Sequence, residues 1–63
     1  MYRLNTATIE SGAWIAAASF VGPGVTIGQN AVLAANSVAT HDLQPNSIYQ
    51  GNPAQFIRDR SVP

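Results

Sequence analysis

One histidine, His41, stands between Thr40 and Asp42 and is the only side chain in the sequence whose ordinary titration falls near neutrality. A lone imidazole can accept a proton or, once protonated, touch an anion weakly; as an exposed corner residue it does neither. One histidine per chain does not furnish a metal cage, so no metal site is expected. With zero cysteines there is no thiolate nucleophile and no disulfide. Charged residues make up 10% of the chain, against roughly 25% in ordinary soluble domains. Three of them are consecutive, Arg58, Asp59 and Arg60, whereas Glu10 is the single charge between Ile9 and Thr40. Net charge is zero and no basic run is present, which argues against a nucleic-acid partner. No apolar run reaches transmembrane length and the N-terminus does not read as a signal peptide, so no membrane partner is expected and a cytoplasmic location is.

The elements that must position these residues are set by a period of six. Ile9, Ile15, Val21, Ile27 and Leu33 recur at that spacing, with Ala39 as a smaller sixth member. Four residues after each comes Ala13, Ser19, Val25, Ala31, Ser37 or Leu43. This is neither the helical period of 3.6 nor a bare strand period of two; it is a short strand and a corner, repeated. Residues two apart in a strand share a face, so Ala13 and Ile15, or Ala31 and Leu33, point inward together. The corners fall at Ser11-Gly12, Ala17-Ala18, Pro23-Gly24, Gln29-Asn30, Ala35-Asn36 and His41-Asp42, rich in residues that tolerate turn geometry.

If three units close one coil, residues 18 apart stack. The inward columns are then Ile9–Ile27, Ile15–Leu33 and Val21–Ala39, with Ala7–Val25–Leu43 among the small positions. Outward residues sort into three faces: Trp14 with Val32, Phe20 with Val38, and Thr8 with Thr26 and Gln44. Two apolar faces on a 63-residue chain, too short to stand easily alone, point to a homotrimer through the Trp14/Val32 and Phe20/Val38 faces.

The organisation is one domain, residues 1–63, with repeats over 7–44 and an exit segment over 45–63. Ser47-Ile48-Tyr49 reads as one more short strand. Asn52 then suits a helix N-cap and Pro53 a first helical position, predicting a short C-terminal helix over Ala54–Arg60 with Phe56 and Ile57 packed on the last coil. Ser61-Val62-Pro63 is expected to fray.

From Thr8 to Arg60 the sequence resembles the hexapeptide-repeat acyltransferases. The hexads carry the likeness of fold, and the closing strings "PNS", "GNPA" and "IR" carry a narrower one, to the xenobiotic, maltose, galactoside, serine and polysaccharide O-acetyltransferases. The resemblance implies an all-β fold, a left-handed parallel β-helix of about two triangular coils, ending in the short helix. It implies trimers that bind acetyl-CoA between subunits, and a histidine base acting on an acceptor hydroxyl. Trp14 matches a tryptophan lining the cofactor groove. Ala17 and Ala35 match corner positions whose backbone meets the pantetheine arm, and Thr40 matches the threonine that precedes the family's usual lysine. His41 stands where lysine is usual, near the phosphates. Arg58 matches an arginine that reaches the nucleotide phosphates, a task suited to its planar fork. Gln55 stands where a basic residue is common, so weakened CoA binding is expected.

In that family the catalytic histidine lies upstream of the tryptophan, and no counterpart is found among the thirteen residues before Trp14. The expectation is therefore a truncated, C-terminal part of a CoA-dependent O-acetyltransferase, keeping part of the acetyl-CoA groove, lacking the base and inactive alone. The alternative is a non-catalytic short β-helix oligomer serving as a binding or assembly module. A third arrangement pairs two trimers end to end as a hexamer, hiding exposed strand edges.

Overall fold

The computed structural model describes residues 6–60. Six two-residue strands recur along the hexads: β1 (Thr8–Ile9), β2 (Trp14–Ile15), β3 (Phe20–Val21), β4 (Thr26–Ile27), β5 (Val32–Leu33) and β6 (Val38–Ala39). Each large aliphatic ends its strand, and each corner follows. Pairing is parallel and skips two strands: β1 with β4, β2 with β5, β3 with β6. Thr8 faces Thr26, Trp14 faces Val32 and Phe20 faces Val38 in register, so the coil repeats every 18 residues as the spacing predicts.

Inside the coil Ile27, Leu33, Ala31 and Ala39 are wholly buried, with Val25 and Leu43 nearly so. Burial of Ile27 or Leu33 contributes about 1.5–3 kcal/mol each. The buried polar side chains of this interior are Ser37 and Ser47, with half-buried Ser19 at its margin, and Ser47 Oγ donates to Pro45 O at 3.0 Å. Ser37 Oγ accepts the N–H of Gly51 at 3.0 Å, and Ser19 Oγ donates to Ala34 O at 2.7 Å while accepting the N–H of Ser37 at 3.3 Å. Their hydroxyls therefore satisfy main-chain groups that would otherwise be costly to bury.

Five of the six corners share one conformation. The second residue of each takes a left-handed backbone: Gly12, Ala18, Gly24, Asn30 and Asn36, then Asn46 in the exit turn. Glycine and asparagine visit this region routinely; Ala18, at φ 59°, does so at a cost of about 1–2 kcal/mol.

The third coil departs from the expected register. Leu43 bridges Ile27, not the Val25 of the 18-residue column, and Val32 and Leu33 pair with Ile48 and Tyr49. The repeat has shortened to 16, and Gln44 does not stack on Thr26. The cause lies at His41-Asp42, which makes a bend without the left-handed residue of the other corners. Gly28 makes the tightening possible: a Cβ there would stand 2.6 Å from Pro45 N and 2.7 Å from Leu43 O.

The exit strand is present as β7 (Ser47–Gly51), but the expected C-terminal helix is not. Ala54–Asp59 form strand β8, antiparallel to β7, and the described residues contain no helix. The sheet order is β2-β5-β7-β8. Asn52 and Pro53 are the turn of this hairpin rather than a helix start, with Gly51 at φ 112° before them. β7 presents an open row of main-chain donors and acceptors, and a returning strand satisfies them where a short helix could not. Phe56 and Ile57 are half exposed rather than packed on the coil; Phe56 meets Tyr49 edge-on, with ring centroids 5.9 Å apart. Ser61-Val62-Pro63 lie outside the described residues.

Candidate functional site

The six candidate residues occupy one side of the coil and two of its corners. Trp14 lies on β2 with 61% of its surface exposed. Its row across the sheet runs Trp14–Val32–Ile48–Arg58, each paired in register with the next. Trp14 and Arg58 thus share a face at opposite edges of a four-stranded sheet, about 14 Å apart by strand spacing. The indole offers a flat apolar surface, the guanidinium an exposed fork of donors, and Val32 and Ile48 the half-buried aliphatic floor between them.

Ala17 and Ala35 are stacked at the corner that leads from this side to the Phe20 side. Ala17 O accepts the N–H of Asn36 at 3.1 Å, and both alanines are exposed. Two methyl groups are all that stand over the main chain here, leaving room for a ligand laid along the corner. Thr40 and His41 follow β6 at the next corner, where Thr40 Oγ1 and His41 Nδ1 are 3.0 Å apart. Both are exposed, and among the described residues no hydrogen bond joins them to Trp14, the alanines or Arg58. The structure therefore brings Ala17 to Ala35 and Thr40 to His41, aligns Trp14 with Arg58, and leaves the three groups on an open surface. Among the described residues no pocket encloses them and no cluster of metal ligands is found.

One residue with a defined role was not singled out from the sequence. Arg60 donates from its guanidinium to Gly12 O at 3.2 Å and Asn30 O at 3.0 Å, and its main-chain N–H donates to Asn46 O at 2.7 Å. Its partners Gly12, Asn30 and Asn46 are the left-handed residues of one corner in three successive turns, a column that the 18-residue spacing does not extend to Asn46.

A strand-and-corner coil repeating every 18 residues, with small corner side chains and an aromatic-to-cationic row on one face, defines a hexapeptide-repeat protein. The chain belongs to the bacterial transferase hexapeptide family (six repeats), whose pattern matches residues 6–41. It is 42% identical over 52 residues to a galactoside O-acetyltransferase of Escherichia coli, covering 82% of this chain and 26% of that protein. It is 38% identical over 52 residues to a chloramphenicol acetyltransferase of Agrobacterium fabrum, covering 82% of this chain and 25% of the relative. The chain thus spans about a quarter of the length of these curated relatives. Among solved structures, a hexapeptide-repeat acetyltransferase of Vibrio cholerae complexed with acetyl-CoA superposes with a TM-score of 0.85 at 38% identity, covering 89% of this chain and 31% of the other. A galactoside acetyltransferase in complex with coenzyme A does so with a TM-score of 0.84 at 40% identity, covering 87% and 28%.

Proposed function

We propose that this chain forms one wall of the acetyl-CoA groove of a CoA-dependent O-acetyltransferase. The observation that carries the reading is the row from Trp14 to Arg58 beside the bare corner of Ala17 and Ala35. Coenzyme A has a long thin arm and a phosphate-bearing nucleotide. The corner leaves space for the arm, the indole gives it an apolar surface, and the Arg58 fork suits the phosphates. Two superposable relatives solved with acetyl-CoA or coenzyme A support the same assignment. In this reading the coil is left-handed, an exception to the usual crossover hand.

Acetyl transfer joins an acceptor hydroxyl oxygen to the acetyl carbonyl carbon, breaks the carbon–sulfur bond and leaves the proton with the departing thiol. A base must stand within hydrogen-bond reach of that hydroxyl. His41 is exposed at a corner with Thr40 as its hydrogen-bond partner, away from the Trp14 row. The reading therefore assigns His41 and Thr40 to the groove margin and assigns the base to no described residue. An open wall becomes a groove when a neighbouring subunit covers it, and Trp14 and Phe20, at 61% and 59% exposure, are the anchors of the proposed homotrimer. End-to-end pairing into a hexamer would further cover the half-exposed Ile9.

Isothermal titration with coenzyme A tests this reading. Saturable binding that is weakened by Trp14→Ala and by Arg58→Ala is expected. Absence of heat at millimolar coenzyme A would overturn it.

A further inference from the structure

We infer that Arg60 is a positioning residue: it latches β8 across the coil, and through β8 it fixes Arg58 in line with Trp14. Among the described residues β8 is an edge strand paired with β7 alone, and that pairing is irregular between Ile48 and Tyr49. Phe56 and Ile57 are each 51% exposed, so burial anchors this strand weakly. What ties down its far end is Arg60. The guanidinium spans the carbonyls of Gly12 and Asn30, and the main-chain N–H takes that of Asn46. These three carbonyls belong to the left-handed corner residues, at φ 76°, 62° and 57°, which stack because Asn30 N–H bonds Ser11 O and Asn46 N–H bonds Gln29 O. Asn30 Nδ2 donates to Asn46 Oδ1 at 3.1 Å and stiffens the same column.

Both side-chain bonds leave one nitrogen, Nη1, whose two N–H groups lie in the guanidinium plane; charge-assisted bonds are stronger than neutral ones, and a lysine ammonium offers the charge without that fixed plane. Arg60 does not lie in the Trp14 row. Its influence on an anionic ligand passes through the order of β8, two residues from Arg58. This part of the inference rests on the proposed coenzyme A reading; the latch itself does not.

The test compares the 63-residue chain with Arg60→Ala, Arg60→Lys, Arg58→Ala and the Arg58→Ala/Arg60→Ala pair. Amide hydrogen exchange is followed at Ala54–Asp59 and, as a control, at Ile27 and Leu33. Affinities are measured for coenzyme A and for pantetheine, which lacks the nucleotide phosphates. Arg60→Ala should speed exchange in β8 by about tenfold while leaving Ile27 and Leu33 protected, with Arg60→Lys intermediate. It should weaken coenzyme A by up to about tenfold, leave pantetheine unchanged, and add nothing to Arg58→Ala. Unchanged β8 exchange overturns the latch. So does loss of protection at Leu33 in both Arg60 variants, which would make the residue a global stabiliser. Full additivity with Arg58→Ala overturns the positioning role. If the unsubstituted chain binds no coenzyme A, the proposed function fails on its own, and the exchange data still decide the latch.

Discussion

Asp42 accepts the main-chain N–H of Thr26 on its Oδ1 at 2.8 Å, across 16 residues of chain. Thr8, on the preceding coil, has its own N–H taken by a main-chain carbonyl, that of Val25. The carboxylate of Asp42 therefore stands in for a carbonyl that the shortened third coil does not bring to Thr26. Leu43 N–H returns to Thr26 O at 2.9 Å, and Gly28 N–H bonds Leu43 O at 2.9 Å, so the ladder resumes at once on the C-terminal side of this contact.

Asp42→Ala removes that acceptor and should destabilise the fold by about 1 kcal/mol, the range of a lost side-chain cap. Asp42→Asn keeps an oxygen in place and should be near neutral. Thermal unfolding followed by circular dichroism separates the two, since about 1 kcal/mol moves Tm by about 4–8 °C in a domain of this size. Equal losses for both variants would show that the charge, not the acceptor, matters.

Gly28→Ala should cost about 1–3 kcal/mol, because the added methyl meets main-chain atoms of Leu43, Gln44 and Pro45 that cannot rotate away. Gly22→Ala is the internal control. Its Cβ would meet Ala39 O at 3.2 Å, a contact a shift of a few tenths of an ångström relieves. Chemical denaturation should rank Gly28→Ala well below Gly22→Ala; the reverse order would contradict the tightened third coil.

Phe20→Asp should leave the coil folded, because the ring is 59% exposed and the buried core lies on the opposite face of the strand. The proposed trimer should be lost, since an unpaired charge would enter a covered apolar face. Sedimentation velocity should show trimer for the unsubstituted chain and monomer for the variant. A monomer in both would remove the trimer from the account.

The hexad was legible because it encodes burial directly. Ile27 and Leu33 had to face inward if the period was six, and Trp14 and Phe20 had to face out. The corners were legible from Gly12, Gly24, Asn30 and Asn36, which suit a left-handed backbone. The shortened coil was not, because Asp42 looks like any other turn residue until its carboxylate is seen on Thr26. β8 was read as a helix because Asn52-Pro53 is a sound local start signal. The deciding factor lay outside the segment: the open edge of β7, where Phe56 pairs with Tyr49. Arg60 escaped for the same reason, since its partners Gly12 and Asn30 lie 48 and 30 residues away. The candidate residues Ala17, Ala35 and Thr40 owe their selection to family likeness, because small corner residues have no chemical signature of their own.

The most direct measurement is the footprint of coenzyme A on the amide and indole resonances of the chain. The account predicts saturable shifts at Trp14, Ala17, Ala35, Thr40, His41 and Arg58, with the Thr8–Thr26 side silent. Shifts centred on Thr8 and Thr26, or no shifts at millimolar coenzyme A, would contradict it.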